Sequence, residues 1–339
     1  MERAGRPTIH DIARRAGVSK SLVSLVLRDS PHVSDEKRRA VLAAVDELGY
    51  RPNVVARSLV RRRSNHLGVM ISDFNNPFFP EVVAGLEDHA HQEGYRLIMN
   101  TGRRVVSQEE AAIEALIELQ VDGLILAGAR VPMRSIQRAA ESLPLVLVSR
   151  SSLSRSMDVV VTDDRAGAAA AVEHLARLGH RRIAHIDGGS GANARTRRLG
   201  YENAMRRRGL DSHIQSIRGA FTPEGGAEGV HELFRRSRPP TAIFAANDIC
   251  AIGAMGALEA RGLRVPDEVS VVGYDDGFLA SLPMVELTTI NQPKTEMGRT
   301  AVEILLERIR GERDGPRRVV MPPRLVTRRT TAPPPPTRG

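Results

Sequence analysis

Val18-Ser19-Lys20-Ser21-Leu22-Val23-Ser24-Leu25-Val26-Leu27-Arg28 reads as one short helix. Ser19 is a good N-cap, since its hydroxyl can accept an orphan N–H of the first turn. Leu22, Val23 and Val26 recur at helical spacing and form one apolar stripe. Lys20, Ser21, Ser24 and Leu25 fall outside that stripe, and Arg28 lies near the helix end. A second short helix precedes it. Thr8 caps that helix, with Asp11 three residues on, close to a capping box. Its stripe is Ile9, Ile12, Ala13 and Ala16, and Gly17 supplies the turn. Two short helices joined by a glycine-containing turn make a helix-turn-helix, whose second helix can enter a DNA major groove. A plain helical hairpin in a small core is the bland alternative.

The flanking charge favours the first reading. Of the 339 residues, 49 are Lys or Arg and 40 are Asp or Glu, a net charge of +9. Residues 1–63 hold 14 basic against 7 acidic side chains, so most of the excess sits at the front. That is the electrostatic footprint of a phosphate-backbone binder, whereas a basic tail would not be capped and periodic. Ser34 caps a third helix with Asp35 and Glu36 in its first turn, where carboxylates suit the helix dipole. Val41, Leu42, Val45 and Leu48 are expected to face inward, and Gly49 ends the helix. Met1 to Pro7 is read as a loose arm.

Pro52 opens a different piece. Asn53 can cap a short helix from Val54 to Val60, too short to be stable alone in water. Arg61-Arg62-Arg63-Ser64 then reads as a basic linker. From His66 the texture alternates between buried strands and helices. Strands are expected at Leu67–Ile71, Tyr95–Asn100, Gly123–Ala127, Leu145–Ser149, Val159–Val161, Ile183–Ile186, Ala242–Ala245 and Ser270–Val272, with helices at Phe79–Gly94, Ser107–Gln120, Ser135–Ser142 and Arg165–Leu178. This is a doubly wound α/β pattern with parallel sheets, and its length suits two of them. The boundaries read as a head over 1–51, a hinge over 52–63, a core over 64–330 and an extended or disordered proline-rich tail over 331–339.

The single cysteine, Cys250, excludes an intramolecular disulfide framework and fits a reducing compartment. No apolar run is long enough to cross a membrane, and the charged N-terminus lacks the apolar core of a signal peptide, so a cytoplasmic location is the default. No phosphate-binding loop and no Gly-x-Gly-x-x-Gly after the first strand supports nucleotide chemistry. His180 and His185 lack metal-ligand partners at suitable spacing, so no metal and no cofactor is expected.

In this order the motifs resemble those of the lactose-repressor (LacI/GalR) family of bacterial transcription regulators. They are Thr-Ile-His-Asp-Ile-Ala-Arg-Arg-Ala-Gly-Val-Ser from Thr8, Leu-Gly-Tyr-Arg-Pro-Asn from Leu48, Ala-Arg-Ser-Leu from Ala56 and Asn-Asn-Pro-Phe-Phe from Asn75. Val-Asp-Gly-Leu-Ile-Leu from Val121, Leu-Gly-His-Arg-Arg-Ile-Ala from Leu178, Phe-Ala-Ala-Asn-Asp from Phe244 and Val-Ser-Val-Val-Gly-Tyr-Asp-Asp from Val269 follow. The resemblance implies a homodimer, in some members a tetramer, with a three-helix DNA-binding head and a two-lobed core like the periplasmic sugar-binding proteins.

It further implies a near-palindromic duplex operator, with Lys20, Ser21 and Leu25 at base-reading positions about 34 Å from their dimer mates. Leu25 departs from the arginine usual there and can touch only a thymine methyl. Thr8, Ser19, Ser24, Arg28, Asn53 and Ala56 complete the implied DNA contacts, and Leu59 matches a minor-groove wedge. In the core, Asp73, Asn76, Phe78, Phe79, Ser149, Arg150, Arg197, Phe221, Asn247, Asp275 and Gln292 fall in strand-end loops or connecting segments, and ligands bind beyond the carboxyl ends of parallel strands. Carboxylates, amides and arginine pair well with hydroxyls, and three of the chain's 7 phenylalanines offer flat faces, so the implied effector is a small sugar. Ser149 departs from an aspartate common in sugar-binding relatives. The expected function is a ligand-switched transcriptional repressor with no catalytic residues. A sugar-binding receptor or a nucleotide-dependent enzyme on the same core stays as the alternative.

Overall fold

The computed structural model describes residues 7–27, 30–50, 63–150, 157–336. Arg28, Asn53, Ala56 and Leu59, and with the last three the expected hinge helix, lie outside the described residues. The chain divides into two compact units, 1–64 and 65–339.

In the first unit, α1 (Ile9–Ala16), α2 (Lys20–Leu27) and α3 (Asp35–Glu47) share a core of Ile12, Ala13, Val23, Val26, Val33, Val41 and Ala44. The Asp11 carboxylate accepts the Thr8 N–H at 2.9 Å and the Thr8 hydroxyl at 2.7 Å, so α1 starts where two local bonds hold it. Those bonds also hold the Asp11 carboxyl below its ordinary range. Gly17 takes φ +66°, a conformation a β-carbon disfavours, and so turns the chain into α2. The Ser19 Oγ accepts the Leu22 N–H at 3.2 Å, the expected cap. Leu42 is a correction: it is 45 % exposed. Val41, Ala44, Val45 and Leu48 make the inward face of α3, and position 42 lies a quarter-turn off it.

The second unit contains two parallel sheets. Among the described residues the first runs in the order β11-β5-β4-β3-β1-β2, from β1 (His66–Ile71), β2 (Arg96–Thr101), β3 (Gly123–Ala127), β4 (Leu145–Val148), β5 (Asp158–Thr162) and β11 (Arg318–Met321). The second runs β7-β6-β8-β9, from β6 (Ile183–Ile186), β7 (Gln215–Ile217), β8 (Ala242–Ala245) and β9 (Ser270–Val272). A short antiparallel pair, β10 (Thr289–Asn291) with β12 (Arg324–Val326), lies beside them. Helices cover both faces, which is why Leu67 to Ile71 and Leu145 to Val148 are continuous apolar runs with every residue buried.

Each lobe carries two clusters of buried apolar side chains, one per sheet face. The chain passes between lobes three times: after Thr162, between Asn291 and Lys294, and between Met321 and Arg324. The helix Lys294–Arg310 packs on the helix Phe78–Gln92 and so belongs to the first lobe. The expected disorder of the tail is a second correction, for its described part to residue 336. Ala332 donates its N–H to Ser270 Oγ at 3.0 Å and its carbonyl accepts from His180 at 2.9 Å. No helix among the described residues is long and apolar enough to cross a membrane.

Candidate functional site

In the first sheet β1 lies between β2 and β3, and in the second β6 lies between β7 and β8. Successive connections leave these strands in opposite directions, and the loops at their carboxyl ends open a crevice. A cavity of about 370 Å³ occupies this position, walled by loops of both lobes. Such a volume suits a small metabolite.

Nine of the expected residues meet there: Asp73, Asn76, Phe78 and Phe79 after β1, Ser149 after β4, Arg197 in the helix Ala194–Arg207, Phe221 after β7, and Asp275 and Gln292 near the lobe crossing. The Asn76 Oδ1 accepts the Phe78 N–H at 3.1 Å, holding the first turn of the helix that carries both phenylalanines. Their rings meet edge to face at 5.2 Å. Two expected residues do not line the cavity. The Arg150 guanidinium donates to the carbonyls of Ala129 and Val131, both at 2.7 Å. Asn247 caps the helix Asp248–Glu259, its Oδ1 accepting the Cys250 N–H at 3.0 Å. Cys250 is buried behind it, and burial pushes its thiol up to about 12, which keeps it protonated near neutral pH.

Arg197 organises the floor. It is 4 % exposed, its Nε donates to Asp164 at 2.8 Å and its Nη1 to the Ala246 carbonyl at 2.7 Å. Asp275 stands 3.8 Å away, and the guanidinium lies 3.7 Å over the Tyr274 ring. Burial is the largest influence on the Arg197 pKa and would lower it, but Asp164, Asp275 and the hydrogen bond to Asp164 together outweigh it and the net shift is upward. Burial raises both Asp164 and Asp275, opposed by Arg197. Gln292 donates to Asp275 at 2.6 Å. Lys294 donates to the carbonyls of Asp275 and Asp276 at 2.7 and 2.8 Å, fixing the loop at the lobe crossing.

The opposite wall is the turn Gly188-Gly189-Ser190-Gly191-Ala192-Asn193. Asp187 accepts the N–H groups of Gly189 and Gly219 at 2.8 and 3.2 Å and ties this turn to the strand beside it. A β-carbon on Gly191 or Gly188 would fall 2.2 or 2.4 Å from the Phe221 ring, so small residues here are what let the ring face the cavity.

The sequence reading missed Arg103, Arg104, Arg130, Ser190, Asn193 and Arg218, all of which line the cavity. The rule that found Asp73 after β1 finds Arg103 and Arg104 after β2 and Arg130 after β3 as well. No family motif marks those three positions. Arg218 and Asn193 needed β7 and the helix Ala194–Arg207, which the sequence reading did not place.

On the head, Lys20, Ser21 and Leu25 are exposed, Leu25 at 40 %. The Lys20 Nζ lies 3.1 Å from the His10 ring. Ser24 is half-buried beside them, and Thr8 and Ser19 hold their own helix starts. One face of α2 is therefore in the core and the other offers side chains to solvent. Among the described residues no group of His, Cys, Asp and Glu could hold a metal ion.

Residues 8–53 match the model of bacterial regulatory proteins of the lacI family, and residues 172–331 match a periplasmic binding protein-like domain. The ribose operon repressor of Haemophilus influenzae is 38% identical over 324 residues, 95% of this chain and 97% of that protein. The crystal structure of the lac repressor dimer bound to operator and the anti-inducer ONPF superposes with a TM-score of 0.86 at 31% identity, over 97% of this chain and 100% of that one. The complex of the transcriptional regulator CelR with cellobiose superposes at 0.72 with 32% identity, over 96% and 100%.

Proposed function

The chain belongs to the lacI family of bacterial regulatory proteins and is a ligand-responsive, DNA-binding transcriptional repressor that works as a dimer; from that premise we propose which residues read the operator and which hold the effector. Lys20, Ser21 and Leu25 read base edges in the major groove, and Ser24 supports them from the same helix. Thr8 and Ser19 place the helix ends against phosphates, where free N–H groups and the dipole attract anions. Arg28 and the hinge residues Asn53, Ala56 and Leu59 belong to the same surface by resemblance. Head, hinge and core divide at 51 and 63, as the sequence suggests.

The effector occupies the cavity between the lobes, contacting Asp73, Asn76, Phe79, Arg197, Phe221, Asp275 and Gln292. Arg150 and Asn247 act through the loops they brace. The observation that carries this reading is the cavity itself. It gathers nine of the eleven residues expected from sequence, from both lobes, at the switch points of two parallel sheets. A ligand that touches both lobes prefers one lobe arrangement over another. A near-complete switch needs about a 10⁴-fold preference, or about 5.5 kcal/mol. The protein performs no catalysis and acts in the cytoplasm, where its DNA is.

The test is retention of the purified full-length protein on a randomised duplex pool, followed by salt titration of the selected site. A near-palindromic consensus with affinity falling steeply in salt supports the reading. Equal retention on selected and random duplex rejects it.

A further inference from the structure

The cavity is short of acid and rich in arginine. Arg103, Arg104, Arg130, Arg197 and Arg218 line it against two carboxylates, Asp73 and Asp275. Two of the five are neutralised in place: Arg197 by Asp164 and Asp275, and Arg104 by Asp73 at 3.4 Å. The guanidinium groups of the other three make no ion pair among the described residues, although the Arg130 backbone N–H donates to the buried Glu109 carboxylate at 2.6 Å. Arg130 donates from Nη1 to the Arg104 carbonyl at 2.7 Å and from Nη2 to Ser190 Oγ at 2.5 Å, while its buried Nε has no hydrogen-bond partner. The side chains of Arg103 and Arg218 make no hydrogen bond or ion pair with any described residue and are exposed at the cavity. Glu109 behind Arg130 already accepts from the Ser72 hydroxyl and from two backbone N–H groups.

A single exposed arginine is an ordinary solvated side chain. Three guanidinium groups outside any ion pair, set by three loops on both walls of one cavity, are a different arrangement. Arg103 and Arg130 follow strands of the first lobe, and Arg218 follows β7 of the second. Like charges on facing walls repel, and guanidinium forks match the paired oxygens of a phosphate or carboxylate. The glycine-rich turn beside them opens the helix Ala194–Arg207, whose N-terminus also favours negative charge.

Resting on the reading of this cavity as the effector site, we propose that the effector is a hydroxylated metabolite bearing an oxyanion, a phosphate ester or a carboxylate. Asp275, Gln292 and Asn76 take its hydroxyls, while Arg103, Arg130 and Arg218 grip the anionic group from both lobes. The anion removes the repulsion between the walls and draws them together, so the charged end of the ligand is what moves the lobes.

The experiment is a thermal-shift and calorimetric titration of the full-length protein, with inorganic phosphate, acetate, glucose 6-phosphate, gluconate, glucose and ribose as probes. Sodium chloride of equal ionic strength is the control. Each probe is also run on R103Q and R218Q, whose side chains hold nothing in the fold. Expected is a saturable upward shift with phosphate or acetate beyond the chloride control, weakened about ten- to a hundredfold in either variant, the worth of a charge-assisted hydrogen bond. A preference for phosphate and glucose 6-phosphate assigns an ester, and a preference for acetate and gluconate an acid. No shift beyond chloride overturns the proposal. So does phosphate binding that both variants leave unchanged, which places the anion on the basic head. If glucose or ribose binds and neither variant nor added phosphate alters the affinity, the cavity remains the effector site and the anionic ligand is rejected.

Discussion

Replacing Arg197 by methionine removes a buried charge and leaves Asp164 facing it. Asp164 is 2 % exposed, and its second oxygen has no hydrogen-bond partner even with Arg197 present. Breaking one half of a buried, hydrogen-bonded pair costs about 3–5 kcal/mol, mostly the cost of the charge left behind. The Ala246 carbonyl also loses its 2.7 Å donor. Methionine fills most of the volume, so the cavity term is small. The remaining charge can be removed too, by Asp164→Asn. In the double variant Asp275, which keeps its bond from Gln292, is the buried carboxylate left beside position 197, and we expect about 1–3 kcal/mol of the loss to return.

The pH dependence follows with a definite sign. Burial already raises the Asp164 pKa, and without Arg197 opposing it the shift grows. A carboxyl whose folded pKa is raised costs stability as pH climbs from its unfolded pKa through the raised folded value, above which the loss is complete. The penalty of R197M should therefore be smallest at low pH and grow toward neutrality. Urea unfolding of wild type, R197M, D164N and R197M/D164N at several pH values reads all of this. A loss under about 1 kcal/mol for R197M, or a double variant no more stable than R197M, would refute the argument that this pair is the electrostatic keystone of the floor.

Other perturbations test other links. His185 is fully buried, stacks on Phe244 at 4.7 Å, and burial holds its pKa down to about 4. The folded state then binds fewer protons than the unfolded one below about pH 6.5, so about 2 kcal/mol of stability should vanish between pH 7 and 5. His185→Gln should flatten that part of the melting-temperature profile, and an unchanged profile counts against it. Gly191→Ala sets a methyl against the Phe221 ring, costing about 1–3 kcal/mol in overpacking. It should also lower effector affinity by calorimetry. Leu25→Arg restores a bidentate donor and should shift preference toward guanine at one position of each half-site by about 1–3 kcal/mol, read by binding to single-base operator variants.

Much of this molecule could be read from the chain because its signals are local. The strands Gly123–Ala127, Ile183–Ile186, Ala242–Ala245 and Ser270–Val272 were expected with their observed bounds, since each is a short apolar run between turn residues. The helices Ala194–Arg207 and Pro223–Leu233 were not placed, and of Asp248–Glu259 only the start near Cys250 was read. The first is rich in arginine, and Gly225, Gly226, Gly229, Gly253 and Gly256 blur the periodicity of the other two. Tail order rests on contacts that no local pattern encodes. His180, 152 residues upstream of Ala332, is one end of such a contact. The site was legible where a motif marked a strand end. Arg103, Arg104, Arg130 and Arg218 were not, because an arginine in a loop has no period, and only the fold shows that several loops share one crevice.

The three passages of the chain between lobes also constrain how the protein is made. The first lobe lacks its edge strand Arg318–Met321 and its covering helix Lys294–Arg310 until the last residues leave the ribosome. The part of its sheet face that this helix covers, with Ile125, Val146, Val148 and Val160 on it, waits uncovered while most of the second lobe is being synthesised. Chaperone demand during translation should accordingly peak late. A nascent chain arrested before Lys294 should be the most protease-sensitive and aggregation-prone length of the core.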